Sequence, residues 1–210
     1  MRLGSRAALA LLVLGALLPS CALSNTRPSM HHYQLSADPV PAEHNRKMKV
    51  NIGTVVAAGP LDDSAIVYQT SAHQLDSYHF HRWVEPPADM VQRSLNDRFT
   101  GGYGLENLPV LDARINSFQE VDKGDQASGL VDIRFCLRAD QRTPADESGC
   151  WTIRHQTPAG AKNAGAAVDA ISASFDQVIS DLEDHVRSRL NATRPRTVVK
   201  RKRGSKAAAN

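Results

Sequence analysis

The stretch PVLDARINSFQEVDKGDQASGLVDIRFCLRAD, residues 109–140, alternates apolar and polar side chains on both sides of a Lys-Gly-Asp turn. Alternation with a period of two is the pattern of a strand with one face buried and one wet, so the stretch predicts two antiparallel strands joined at DKGDQAS. CWTIRHQ, residues 150–156, repeats the alternation after a turn-rich loop from Arg142 to Gly149, which extends the pair to a three-stranded meander. In the middle strand Val131, Ile133, Phe135 and Leu137 share one parity, which turns Cys136 to the opposite face.

Downstream, the period changes. Between Ala164 and Leu190, the residues Val168, Ile171, Phe175, Val178, Ile179, Leu182 and Val186 recur at three and four, which predicts a long helix with one buried stripe. Upstream, KVNIGTVVAA and AIVYQT read as strands separated by the turn GPLDDS, and HHYQLS as a short extended piece. YHFHRWV alternates Tyr78, Phe80 and Arg82 with His79, His81 and Trp83. Pro86 and Pro87 end that strand. Val91, Leu95 and Phe99 then fall four apart, a short amphipathic helix over 88–99 that Gly101 and Gly102 stop. The expected fold is therefore α+β: an antiparallel sheet of about six strands packed against one short and one long amphipathic helix.

The chain begins with Arg2 and Arg6, an apolar and glycine run from Ala7 to Leu18, and small or turn-forming residues before Cys21. This is the three-part build of a secretory signal. Twelve helical residues reach only about 18 Å, short of the roughly 30 Å of a bilayer's hydrocarbon core. Leu18-Pro19-Ser20-Cys21 resembles the bacterial lipobox, so Cys21 is expected to carry palmitate-type acyl chains as a lipid anchor. The expected organisation is a signal peptide over 1–20, a lipidated N-terminus and tether over 21–47, a folded domain over 48–192 and a basic tail over 193–210. With Cys21 committed to lipid, Cys136 and Cys150 remain as a candidate disulfide in an oxidising compartment, or as two reduced thiols if the strand register holds them apart. Net charge at pH 7 is +3, but the last twenty residues hold seven of the 25 lysines and arginines and none of the 22 acidic residues. In an exported protein that tail would meet anionic headgroups or cell wall, or simply solvate the terminus, and nucleic acid is not an expected partner.

The chain has no G-x-S-x-G elbow, H-E-x-x-H helix, Walker loop or dinucleotide glycine fingerprint, so no catalytic residue and no cofactor is assigned. His79-x-His81 could place two imidazoles on one strand face, but no third metal ligand is specified. FTGGYG reads as a helix stop, and Asp62-Asp63 and Glu183-Asp184 as solvated charges.

Residues 65–99, AIVYQTSAHQLDSYHFHRWVEPPADMVQRSLNDRF, resemble the auxiliary lipoprotein family of ABC-type intermembrane transport systems, the relatives of paraquat-inducible protein C. The matching residues are Ile66, Val67, Tyr68, His81, Arg82, Trp83, Glu85 and Pro86, together with the Cys21 leader, the strand VNIGTVVAAGPL and the final helix. Val-Glu-Pro-Pro stands where Ala-Glu-Pro-Leu is usual, and the basic tail is a departure. The resemblance implies a non-enzymatic periplasmic domain on an outer-membrane anchor. It also implies partners: an inner-membrane permease and ATPase and an MCE-type (mammalian cell entry) substrate-binding protein, with phospholipid as cargo and a homo-oligomer open. Ala22 is not the aspartate that retains lipoproteins in the inner membrane of enteric bacteria. Tyr68, His81, Arg82, Trp83 and Glu85 are the candidate partner or lipid contact, with a core Trp83 and a surface pair of Arg82 with Glu85 as the favoured plain alternative. Metal binding at His79 and His81, or a cell-wall-gripping envelope protein, is the alternative.

Overall fold

The computed structural model describes residues 28–35, 48–99, 108–140, 142–144, 146 and 149–193. The leader, Cys21, Ala22, the Gly101-Gly102 stop and the basic tail lie outside the described residues. In chain order the elements are β1 (His31–Tyr33), β2 (Asn51–Ala57), β3 (Ala65–Ser71), β4 (Gln74–Trp83), α1 (Pro87–Arg98), β5 (Val110–Lys123), β6 (Gln126–Arg138), β7 (Cys150–Pro158) and α2 (Ala164–Thr193). A single 3-10 turn, Gly59–Leu61, lies between β2 and β3.

The strands form one sheet in the order β1-β4-β3-β5-β6-β7, with β2 also on β5. β5 is long enough to serve two neighbours along one edge. Its first half pairs β2, from Asn51 opposite Val110 to Ala57 opposite Ile115, and its second half pairs β3, from Val67 opposite Gln119 to Gln69 opposite Val121. The change of neighbour coincides with a register slip against β6 between Ile115 and Ser117. Such a bulge increases local twist and re-aims the strand. β5, β6 and β7 are the antiparallel meander expected from the alternation. The remainder departs from it: β1–β4, β2–β5 and β3–β5 are parallel, so the sheet is mixed rather than antiparallel throughout. β4 runs back against β3, and after α1 the chain enters the sheet centre as β5 running against β4 and therefore with β3.

α1 opens with Pro86 as its cap and Pro87 at the first helical position, where a missing N–H costs nothing, and it carries Asp89 in its first turn and Arg98 in its last. It buries Met90, Val91 and Leu95, and Phe99 closes it by donating its N–H to the Leu95 carbonyl at 2.8 Å. α2 lays its stripe, Val168, Ile171, Phe175, Val178, Ile179, Leu182 and Val186, against the same sheet face, and all seven are buried. The approach is closest at Gly129 of β6, where an added Cβ would fall on the backbone of Ala170 and Ile171. The Ser174 hydroxyl bonds the Gly129 carbonyl at 2.8 Å and the Thr157 hydroxyl at 2.9 Å, fastening helix, β6 and β7 together. Farther along α2, His185 stacks on Trp151 with centroids 4.2 Å apart, and the Arg189 guanidinium lies 5.5 Å from the same ring. Burial first, then the Arg189 charge, lowers the His185 pKa.

The outer face of the sheet is pinned by polar pairs. Asp112 of β5 takes Arg138 of β6 in a two-point contact at 2.6 and 3.1 Å and accepts the Thr54 N–H of β2 at 2.9 Å. Cys136 and Cys150 stand directly opposite each other in the β6–β7 register, with Cα atoms 4.0 Å apart, and are joined as a disulfide.

Candidate functional site

The expected contact residues cluster around the end of β4. Two residues of the segment go inward. Trp83 is buried, meets Phe118 of β5 edge-on at 5.5 Å, and Phe118 meets Phe175 of α2 at 6.0 Å, so an aromatic column runs from strand to helix through the core. Trp83 therefore builds the fold. His81 is half-buried: its Nδ1 and the Tyr33 hydroxyl are hydrogen-bonded at 3.0 Å, and its ring stacks on His31 at 5.1 Å. This joins β1 to β4 in the register His31 opposite His81 and Tyr33 opposite Trp83.

Tyr78 shares the side of His81, with ring centroids 5.9 Å apart, and also meets Tyr68 at 5.0 Å. Strict alternation had assigned Tyr78 and His81 to opposite faces. It fails because the β3–β4 register slips between Ala65 and Val67: Ala65 faces Arg82 while Val67 faces Ser77, leaving extra β4 residues between the two pairings. Of the two strand histidines, His79 is exposed and His81 is held against Tyr33. Among the described residues no three His, Cys, Asp or Glu side chains converge as a metal site would require.

Arg82 stays at the surface and Glu85 is half-buried, each with a partner other than the other. Arg82 reaches Asp63 at 3.3 Å, because the antiparallel β3–β4 pairing brings the end of the 3-10 turn beside it. Glu85 accepts from Arg93, because the two prolines turn α1 back across the end of β4. Glu183 is likewise no solvated charge: it is buried and pairs with Arg98 at 3.1 Å, tying α1 to α2. The candidate set thus divides into one core residue, Trp83, the half-buried rings of Tyr68 and His81, and two ion pairs at Arg82 and Glu85.

The sequence reading missed Glu120 and Asp122, at the far end of β5. Glu120 is 1% exposed. Its Oε2 accepts from the Tyr78 hydroxyl at 2.5 Å, while its Oε1 and the Asp122 Oδ1 are buried without a hydrogen-bond partner among the described residues. Lys162, in the loop before α2, lies 3.6 Å from Asp122 and donates to the Gly124 carbonyl at 2.5 Å. Burial pushes the Glu120 carboxyl up, and the Asp122 charge adds to this, against the opposing effects of Tyr78 and Lys162. Tyr78 is pushed well above its usual value, by burial first and then by the Glu120 contact, and Tyr68 is raised by burial and by Asp76, Asp122 and Glu120. A signal was there to read, since acidic residues at 120 and 122 occupy the parity of Phe118 where the inward pattern called for apolar ones. The cluster links the tip of the β5–β6 hairpin to the entry of α2.

A mixed sheet with two helices on one face, a cross-strand disulfide and a β1 strand docked on β4 define an α+β domain. The chain matches the family described as ABC-type transport auxiliary lipoprotein component over residues 33–183, and it belongs to that family. Its fold is similar to that of a Xanthomonas campestris protein carrying the family label DUF330, with a TM-score of 0.63 at 15% identity over 79% of this chain and 100% of that one. It is similar as well to an uncharacterized protein of solved structure, with a TM-score of 0.59 at 12% identity over 75% and 99% of the two chains. No curated protein matches the chain.

Proposed function

We propose that this chain is the non-catalytic lipoprotein component of an MCE/ABC-type intermembrane lipid transport system, anchored at Cys21 on the periplasmic face of the outer membrane and docking on an MCE-type protein. The observation that carries the reading is the family match over residues 33–183, which covers β3, β4, α1 and the meander as one unit. The described architecture supports a docking role: its most characteristic residues, Trp83 with Phe118 and Phe175, brace sheet against helix. Rigid scaffolds that present surfaces are what a docking component needs. The lipobox-like Leu18-Pro19-Ser20-Cys21 supports the anchor, and Ala22 behind it supports the outer membrane rather than retention in the inner membrane. More than one acyl chain is required for durable attachment, because each buried methylene contributes about 0.8 kcal/mol.

The test is fractionation of the full chain against Cys21→Ser. The parent is expected in the outer-membrane fraction with a mature mass beginning at Cys21 plus acyl groups, and the variant in the soluble periplasmic fraction. Native mass measurement of detergent-extracted membranes that also contain the MCE protein is expected to find the two together. A Cys21→Ser chain that stays on the membrane, or a parent without acyl mass, would overturn the anchor; separate migration of the two proteins would overturn the docking.

A further inference from the structure

Five large apolar side chains are exposed among the described residues, and three of them, Met30 (44%), Phe80 (45%) and Val84 (50%), gather where β1 lies on β4. The β1–β4 register aligns His31 with His81 and His32 with Arg82, so one step back brings Met30 beside Phe80. Tyr33 and Trp83 pack toward the core, which leaves Met30, His32, Phe80 and Arg82 on the other side of the two strands. Val84 follows, held to β1 through its N–H and the Tyr33 carbonyl at 2.7 Å. The result is an apolar rim with a guanidinium and an imidazole set between its members.

The position of this rim in the chain names its occupant. Met30 follows Cys21 by nine positions, and nine residues at about 3.5 Å each reach no further than about 30 Å, roughly the width of a small domain. Of the strands in the sheet, this edge holds the one nearest the attachment point along the chain. Three side chains fall far short of the roughly 800 Å² per partner that a stable protein interface buries. A surface already tethered needs far less, since the tether raises the effective concentration of the contact. His32 suits the headgroup level, with its polar end toward phosphate and its body beside Met30, and Arg82, paired with Asp63, lies next to it in the register.

We infer that the β1–β4 edge is a lipid-contact surface, with Met30, Phe80 and Val84 entering the headgroup–acyl boundary of the membrane that holds the Cys21 anchor. This rests on the anchor proposed above. The experiment uses the full lipidated chain in vesicles of phosphatidylethanolamine and phosphatidylglycerol containing phosphatidylcholine brominated on its acyl chains. Phe80→Trp is compared with Ser180→Trp, an exposed position on α2, which packs on β6 and β7 at the far side of the sheet, and the signal of the parent's Trp83 and Trp151 is subtracted from both. The added emission of Phe80→Trp is expected to fall by about half or more, as for a residue seated 5–10 Å into the interface, with that of Ser180→Trp unchanged. Flotation of the chain with the vesicles reads the anchor separately. Flotation with equal, weak quenching at both positions overturns the lipid-contact surface and leaves the anchor standing. A chain that does not float overturns both.

Discussion

Glu120 is the residue whose chemistry is least explained by packing alone. A carboxyl with one oxygen bonded to a tyrosine and the other buried without a partner prefers its neutral form, and its pKa is raised accordingly. The sign follows from linkage. In the unfolded chain the group titrates at its ordinary value near 4.5. A raised folded value means that folding is favoured most below that point and loses stability as pH rises through the folded value, where the native state must carry a desolvated charge. Glu120→Gln keeps an acceptor for Tyr78 and removes the titration. Urea midpoints taken between pH 4 and pH 8 should therefore decline less steeply for Glu120→Gln than for the parent, with the variant the more stable of the two at the upper end. Parallel curves would show that Glu120 ionises without cost, with water or Lys162 compensating it.

At the scale of elements, α2 lays its buried apolar stripe on the sheet, and Gly129 sets how closely the helix approaches β6. The clash of an added methyl is with helix backbone, which cannot swing aside as a side chain would. Gly129→Ala should cost about 1–3 kcal/mol as an overpacked site does, seen as a lower denaturant midpoint at unchanged slope. A midpoint within error of the parent would mean that α2 can shift on the sheet as a body. The elements themselves were legible where one period ran unbroken: the β5–β6–β7 meander and both helices follow directly from alternation and from three-four spacing. Even the inward parity of Val131, Ile133, Phe135 and Leu137, opposite Cys136, matches the pattern. What alternation did not carry was anything that depends on register between distant strands. The slip in β4 put Tyr78 on the side of His81, and the parallel placement of β3 beside β5 brought Tyr68 to Glu120, two consequences of partners far apart in sequence. Ion pairs failed for the same reason: Arg82 lies three residues from Glu85 but meets Asp63, and Glu183 meets Arg98 from another helix.

Over the whole molecule, the cross-link at Cys136 and Cys150 acts chiefly on the chain that is not folded. Fourteen positions separate the two cysteines, and closing a loop of that size removes denatured-state entropy worth about 3 kcal/mol in the chain-entropy treatment. One continuous core runs from Val50 through Trp83 and Phe118 to Val186, so the loss should be felt everywhere at once and not only at the β7 edge. The double variant Cys136→Ala/Cys150→Ala should unfold at a lower urea concentration than the oxidised parent, by about 2–4 kcal/mol, and the parent in reductant should approach it. Backbone circular dichroism and the emission of Trp151, adjacent to Cys150, should move through the transition together. If Trp151 reported an earlier event than the backbone, β7 would be opening as a separate unit. The disulfide would then be an edge fastener, and the stability of the domain would have to rest on β5, β6 and the two helices without it.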